Sequence, residues 1–295
     1  MAHIEVRTAQ VQDRPVILAF CEHTWEWGDY IERAWDGWFN DPSGKLLVAT
    51  ADEHPVGVVH LQILTDSDAW IEGLRVDPAQ RQQGIGRALN EAAMAEAMNQ
   101  GAAYIRLATE AINTASIQLA RSLHMRQVGA FALYTATPIL TPPRRSMQET
   151  TTQVATLDDL DTIIDYLNVS NVFPLTGGLY YVKFTAYPIT AELLEKKIEE
   201  QSVYLLRRWD RLDGLAIAEQ REEQQEQRLS IGYIDGMTIE AVSLIAYDLR
   251  RRAAALELEK VRAYAPDLVL VHDSFGGVEY ETNGSIFWTY ERSLT

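Results

Sequence analysis

A single cysteine, Cys21, in a chain of 295 residues excludes an intrachain disulfide and any thiolate metal cluster. The six histidines, His3, His23, His54, His60, His124 and His272, are scattered without a ligand spacing such as His-Glu-x-x-His, so no metal is expected. No apolar run is long enough for a membrane span or the core of a signal peptide. The amino terminus, Met-Ala-His-Ile-Glu-Val-Arg, alternates polar and apolar residues as a strand does. The reading is therefore a soluble, cytoplasmic protein with no membrane partner. Basic residues are outnumbered, 26 Lys and Arg against 42 Asp and Glu, for a net charge of -16. That balance argues against nucleic acid, which is held through a broad basic face, and favours a small cationic molecule.

The length suits two domains, each with its own core. Period and punctuation predict a strand at 3–8, a helix at about 11–22, a second helix around 30–39, strands at 45–50 and 55–64, and a strand at 70–76. A helix follows Gly86, runs to about Asn99 and is closed by Gly101. A strand at 103–109, a helix near 114–123 and two terminal strands up to Ala136 complete a first unit, residues 1–137. Residues 138–151, with Pro138, Pro142 and Pro143, read as a linker, and 152–295 as a second unit.

Between the strand at 70–76 and its helix lies Arg81-Gln82-Gln83-Gly84-Ile85-Gly86-Arg87. Glycines there turn backbone amides to one side, and the next helix adds unpaired N–H groups and the positive end of its dipole, a fit for a diphosphate. A dinucleotide fingerprint fails, because Gly84-x-Gly86-x-x-Gly would need glycine where Leu89 stands, and Asp77-Pro78 separates strand from turn too widely. Instead the segment resembles the Arg/Gln-x-x-Gly-x-Gly/Ala signature of the GNAT acetyltransferases, which bind the pyrophosphate of acetyl-CoA there. The element order β-α-α-β-β-β-α-β-α-β-β is also that of the GNAT fold, an α/β (α+β) architecture on a mixed sheet.

The second unit repeats part of this plan, with strands at 153–155, 202–208 and 215–220 and helices at 157–167 and 190–201. Trp70-Ile71-Glu72-Gly73-Leu74-Arg75-Val76 is echoed by Tyr233-Ile234-Asp235-Gly236-Met237-Thr238-Ile239, which argues for duplication. After Ile239 the chain enters a helix at 241–256 with no glycine loop. The second unit is thus expected to be a degenerate GNAT-like lobe without cofactor binding. The long segment 168–188, with Gly177, Gly178 and several aromatics, reads as a lid or an interface.

The resemblance implies direct acetyl transfer from acetyl-CoA, as co-substrate, to a primary amine. Backbone groups of Leu74, Arg75 and Val76 would hold the thioester arm and supply an oxyanion donor, worth about 3 kcal/mol in acyl transfer. The diphosphate would fall to Arg81, Gln82, Gln83, Gly84, Gly86 and Arg87. Asn113 would hold pantetheine or serve as a helix N-cap. Glu72 is the expected base: a glutamate with a raised pKa in a partly dry cleft, leaving the strand on the same face as Leu74 and Val76. The family's acid, the tyrosine of Asn-x-x-Ala-x-x-Leu-Tyr, is missing, since Asn113 leads to Leu119-Ala120. Tyr134 or His124 would have to replace it.

Among the aromatics and carboxylates of residues 22–39, the helical spacing of Ile31, Trp35, Trp38 and Phe39 reads as core. Trp25, Glu26, Trp27 and Asp29 read as a pocket for an organic cation. Two other readings stand: a non-catalytic acyl-CoA sensor, motivated by Ala120 and the second lobe, and a tandem enzyme like mycothiol synthase with its acceptor between the lobes. A homodimer is left open.

Overall fold

The structure, a computed structural model, describes residues 3–24, 28–140, 151–208, 211–223 and 225–295. They divide into two units. The first comprises residues 1–109, 113–127 and 290–295, and the second comprises 110–112 and 128–289. The boundary expected at 137 thus falls between Gln127 and Val128, and residues 290–295 belong to the first unit.

In the first unit, β1 (Ile4–Thr8) is followed by α1 (Asp13–Cys21), α2 (Ile31–Phe39), β2 (Gly44–Ala51), β3 (His54–Ile63) and β4 (Asp68–Val76). Then come α3 (Ile85–Asn99), β5 (Tyr104–Glu110) and α4 (Thr114–Ser122). The strands lie in the order β1-β2-β3-β4-β5. Neighbours are antiparallel except β4 and β5, which are parallel. α1 and α2 bury Ile17, Cys21, Ile31 and Trp35 against Leu46, Val48 and Val58 on one face. α3 repeats its apolar residues every three or four positions and buries Ile85, Leu89, Ala93, Met94 and Ala97, as an amphipathic helix must. Gly57 in β3 lets it approach, since a Cβ there would stand 3.0 Å from Leu89 and 3.1 Å from Ile85.

In the second unit, β6 (Arg126–Ala136) and β7 (Gln153–Val154) lead to α5 (Leu160–Val169), the hairpin β8 (Leu179–Val182) and β9 (Thr185–Pro188), and α6 (Ala191–Glu199). β10 (Val203–Arg208), β11 (Arg211–Glu223), β12 (Glu226–Gly236), α7 (Ile239–Ala255), β13 (Lys260–Pro266), α8 (Val269–Gly276) and β14 (Glu281–Ser293) complete it. Its strand order β7-β10-β11-β12-β13 matches β1 to β5 of the first unit, again with one parallel pair, here β12 and β13. The duplication therefore extends to topology.

The two terminal strands expected up to Ala136 are one long strand, β6. It lies beside β13, with Ala136 opposite Val261 and Phe131 opposite Pro266. Residues 290–293 of β14 supply the strand that the first unit lacks, with the Leu294 amide bonded to the carbonyl of Ala103. The long segment 168–188, read as a lid or an interface, holds the β8–β9 hairpin. Gly232 of β12 admits it, because a Cβ there would collide with the Tyr181 carbonyl and the Tyr180 ring. No described helix is long and apolar enough to cross a membrane.

Candidate active site

β4 and β5 begin as a pair and then part. Their ladder runs through Asp68–Tyr104, Ala69–Ile105 and Trp70–Arg106 and goes no further among the described residues, although β4 continues to Val76 and β5 to Glu110. Burial follows the parting: Ala69, Trp70 and Ile71 are buried, whereas Leu74, Arg75 and Val76 are half-buried. Backbone groups on that edge of β4 lack a partner strand, which leaves them open to another extended chain.

The glycine turn stands at the mouth of this fork. Asp77 caps a short 3-10 turn, accepting from the Ala79 amide at 2.9 Å. Gln82 and Gly84 adopt φ of +64° and +82°, and Gly84 is the N-cap of α3, with open space where a Cβ would be. Gly86 is packed, 3.4 Å from Leu119 and 3.7 Å from Leu74 at its would-be Cβ. Arg81, Gln82, Gln83 and Arg87 are exposed. Arg87 is tethered to Glu91 and to the Ser122 carbonyl, both at 3.2 Å, and Gln83 to Gln80 at 2.9 Å. Asn113 caps α4 through Oδ1, 3.1 Å from the Ser116 amide.

Glu72 does not leave the sheet on the face of Leu74 and Val76. Gly73 has φ +68°, and the register shifts between Val58 and His60, so that His60 faces Glu72 while Val58 faces Arg75. This β-bulge, with glycine in the left-handed region, adds a residue and inverts the alternation beyond it. Leu74 and Val76 consequently pack toward Gly86 of α3, whereas a Cβ on Gly73 would strike Trp38 and approach Ile31 of α2. Glu72 and Arg75 both turn to the α2 face.

There Glu72 meets residues that were not singled out from the sequence. Its Oε1 lies 3.0 Å from Nδ1 of His60. The other ring nitrogen, Nε2, lies 3.2 Å from Oδ2 of Asp41, at an angle that leaves it without a satisfied hydrogen bond. His60 is 1% exposed. Trp38 stacks on its ring at 5.0 Å and 13°, and Tyr30 stands edge-on to Trp38 at 5.9 Å. Trp38, read as core, is therefore part of this site. The imidazole turns its nitrogens to opposite carboxylates, and no described group of three His, Cys, Asp or Glu is arranged to hold a metal.

Asp29, expected to face a cationic acceptor, instead binds Arg75, with Nε–Oδ2 at 2.6 Å and Nη2–Oδ1 at 3.1 Å. Its side chain is 3% exposed. Burial alone would lower the pKa of Arg75, but the hydrogen bonds and charge of Asp29 hold it above the ordinary value. The guanidinium also covers the Tyr30 ring at 5.1 Å. Burial pushes the Tyr30 hydroxyl up, against the pull of Arg75. The side chain of Arg75 is thus structural, and only its backbone remains for a ligand. Trp25, Glu26 and Trp27 lie outside the described residues.

Tyr134 belongs to the second unit, is 2% exposed and sits in its core, edge-on to Phe275 at 4.8 Å. Burial there, with the charge of Asp267, raises its pKa. His124 follows α4 with φ +58°, and Ala120 is buried in α4. In the second unit the counterpart of Glu72 is sealed: Asp235 is 1% exposed and accepts from Ser170 at 2.6 Å, Tyr233 at 2.8 Å and Tyr166 at 3.1 Å. Burial raises its pKa even against those hydroxyls. α7 starts directly, with Thr238 as N-cap bonded to the Ala241 amide.

Residues 14–125 match the Acetyltransferase (GNAT) family. Across 99% of its length the chain is similar to the GCN5-related N-acetyltransferase from Sphaerobacter thermophilus, covering 96% of that chain at 12% identity and a TM-score of 0.58. It is similar over the same share to a tandem GNAT protein from the clavulanic acid biosynthesis pathway, covering 99% of it at 12% identity and a TM-score of 0.53. A GCN5-related glucosamine N-acetyltransferase region of a fungal multi-domain GH3 beta-N-acetylglucosaminidase gives a TM-score of 0.63 at 13% identity. The match covers 99% of this chain and 38% of that one. No curated protein matches the sequence.

Proposed function

On the premise that this chain is an acyltransferase with a GNAT domain at residues 14–125, we propose that it moves an acetyl group from acetyl-CoA directly to a primary amine of a small cationic substrate. The observation that carries this reading is the bulge at Gly73 on the rim of the open fork. It sets a carboxylate on the α2 face while the next residues keep their backbone edge toward the fork. Donor and acceptor can then meet at the rim of the fork with the carboxylate beside the amine, the close, oriented approach that a direct transfer needs.

The fork and its turn fit an acyl-CoA. The amides after Gly84 and the charges of Arg81 and Arg87 suit a diphosphate. The unpaired edge of β4 suits the amides of a pantetheine arm. Asn113 keeps its side-chain amide nitrogen for the same arm while its oxygen caps α4. Acyl-CoA supplies the activated thioester, and the protein's groups do the rest. Glu72 takes a proton from the substrate ammonium. The freed amine attacks the carbonyl carbon, and an N–H of residues 74–76 stabilises the oxyanion. The C–N bond forms, the C–S bond breaks, and the second nitrogen proton leaves with the thiolate as the thiol. A thiol with pKa of about 8.5 departs without a dedicated acid, consistent with Ala120 at the position of the family's tyrosine and with Tyr134 in the other unit's core. The second unit, with Asp235 enclosed and no glycine turn, reads as a degenerate lobe that binds no cofactor.

Glu72→Gln tests the reading, with thiol release measured over a panel of polyamines, aminoglycosides, amino acids and peptides. The expected result is a kcat lowered about a hundredfold or more with acetyl-CoA affinity unchanged. Equal loss of both, or of neither, removes Glu72 from the mechanism. Acetyl-CoA binding by the native protein with no turnover on any amine would favour the sensor reading that Ala120 suggests.

A further inference from the structure

Resting on Glu72 as the base, we propose that His60 is its positioning residue: the Nδ1–H of the ring holds Oε1 of the carboxylate and leaves Oε2 to meet the amine. An ionised carboxylate can only accept hydrogen bonds. The contact between Oε1 and Nδ1, at 3.0 Å, has hydrogen-bond geometry, so while Glu72 is charged and ready for the ammonium the shared proton belongs to the nitrogen. That holds whether or not Nε2 also carries one. No proton passes through the ring. The one that Oε2 takes from the ammonium, as an N–H bond breaks and an O–H bond forms, returns to water from Glu72 itself, whose side chain is 28% exposed.

A glutamate side chain turns about several bonds, and on a partly open strand rim it would spend much of its time away from any one reacting pose. His60 removes that freedom before the substrate arrives. The β3–β4 register sets it directly opposite Glu72, and among the described residues it gives the carboxylate its one hydrogen bond. The ring itself cannot turn away. It is buried and stacked on Trp38, and the chain at Gly44 closes the Nε2 side, since a Cβ there would stand 2.9 Å from that nitrogen. The charged and titratable groups facing the pair are Tyr30 before α2, Asp41 after it, and Arg75 of β4, which is already bound to Asp29.

Variants of the full chain test the assignment, with Glu72→Gln alongside. His60→Leu keeps an apolar side chain against Trp38 but has no donor, and is expected to lower kcat at least about tenfold with acetyl-CoA affinity unchanged. The rising limb of its kcat against pH should move up by about one unit, because the carboxylate loses a hydrogen bond that favours its charged form. His60→Asn carries an N–H donor on the same γ carbon, so it should keep most of the native kcat and leave the limb in place. A merely structural role would make the asparagine variant no better than the leucine one. In the Glu72→Gln background His60→Leu should cost nothing further, as a residue that acts only through Glu72 must. Nitrogen NMR of the isotope-labelled native protein at neutral pH reads Nδ1 directly, which decides the matter should a variant fail to fold: a protonated Nδ1 is expected. An unprotonated Nδ1, wild-type kcat with an unmoved limb in His60→Leu, or equal losses in the two variants overturns the positioning role while Glu72→Gln stays inactive. Wild-type kcat in Glu72→Gln overturns the base itself, and this role with it.

Discussion

Arg106 and Glu291, 185 positions apart in sequence, are joined by a buried ion pair, with Nη2–Oε2 at 2.7 Å and Nε–Oε2 at 2.8 Å. The same guanidinium binds Asp68 at the start of β4. One cation therefore links β4, β5 and the final strand of the first unit just where the fork begins. Burial alone would raise the pKa of Asp68, but the hydrogen bonds of Arg106, Thr65 and Ser67 hold it below the ordinary carboxylate value.

Arg106→Met should lower the stability of the first unit by about 3–5 kcal/mol, because it strands two buried carboxylates. Urea unfolding followed by tryptophan fluorescence measures it. Arg126→Met is the contrast: Arg126 also reaches Glu291, at 3.0 Å, but its side chain is 78% exposed, so its loss should change the midpoint little.

Gly73→Ala should damage both stability and turnover. Its Cβ would overlap the Trp38 ring, and alanine at φ +68° is strained by roughly 1–2 kcal/mol before any clash. Trp38 must move, and with it the ring that stacks on His60. The expected readouts are a lowered thermal midpoint and a lower kcat with acetyl-CoA binding retained. An unaltered kcat would separate the bulge from catalysis.

Acid sensitivity should be visible at Asp13. Burial alone would raise its pKa, but the hydrogen bonds of Arg7, at 2.7 and 2.8 Å, and of the Gln10 amide, at 2.7 Å, bring it below the ordinary carboxylate value. A carboxyl whose folded value is depressed stabilises the fold above its unfolded value, and that contribution is lost as pH falls through the folded value. Asp13→Asn should therefore cost about 2 kcal/mol near pH 7, and the gap to the native protein should close below about pH 4. A gap independent of pH would contradict the assignment.

Cys21 should be inert in the folded protein. Burial, with the charge of Asp29, pushes its thiol up to about 12 against the pull of Arg75, and the residue is 2% exposed. Thiol reagents titrate the thiolate, so modification is expected only after unfolding. Rapid labelling of the native protein at neutral pH would show that the core beneath α1 opens.

Much of the fold was legible because its signals are local. The glycine turn, the apolar period of α3 and the echo of Trp70–Gly73 in Tyr233–Gly236 can each be read within one element. What was missed depends on pairing. β6 and β14 look like ordinary strands, and nothing in their composition says that β6 lies beside β13, or that residues 290–293 complete the sheet begun by β1. The face of Glu72 was misjudged because simple alternation knows nothing of a bulge. Gly73 was the available clue, as an isolated glycine within a strand often marks one. His60 and Asp41 carried no spacing signal. Folding β3 and β4 about the turn at 64–67 would have set His60 against Glu72, since hairpin register alone brings them face to face.

Residues 290–295 complete the first unit, yet they are synthesised after the whole of residues 128–289. Until they emerge from the ribosome, β5 waits with an uncovered edge, and Arg106 lacks the carboxylate of Glu291. The unit that begins first is thus finished last. A shortened form ending near residue 137, which leaves out the second unit, would also remove a strand from the sheet that carries the fork. Loss of activity in such a fragment would report a broken sheet as readily as a missing lobe.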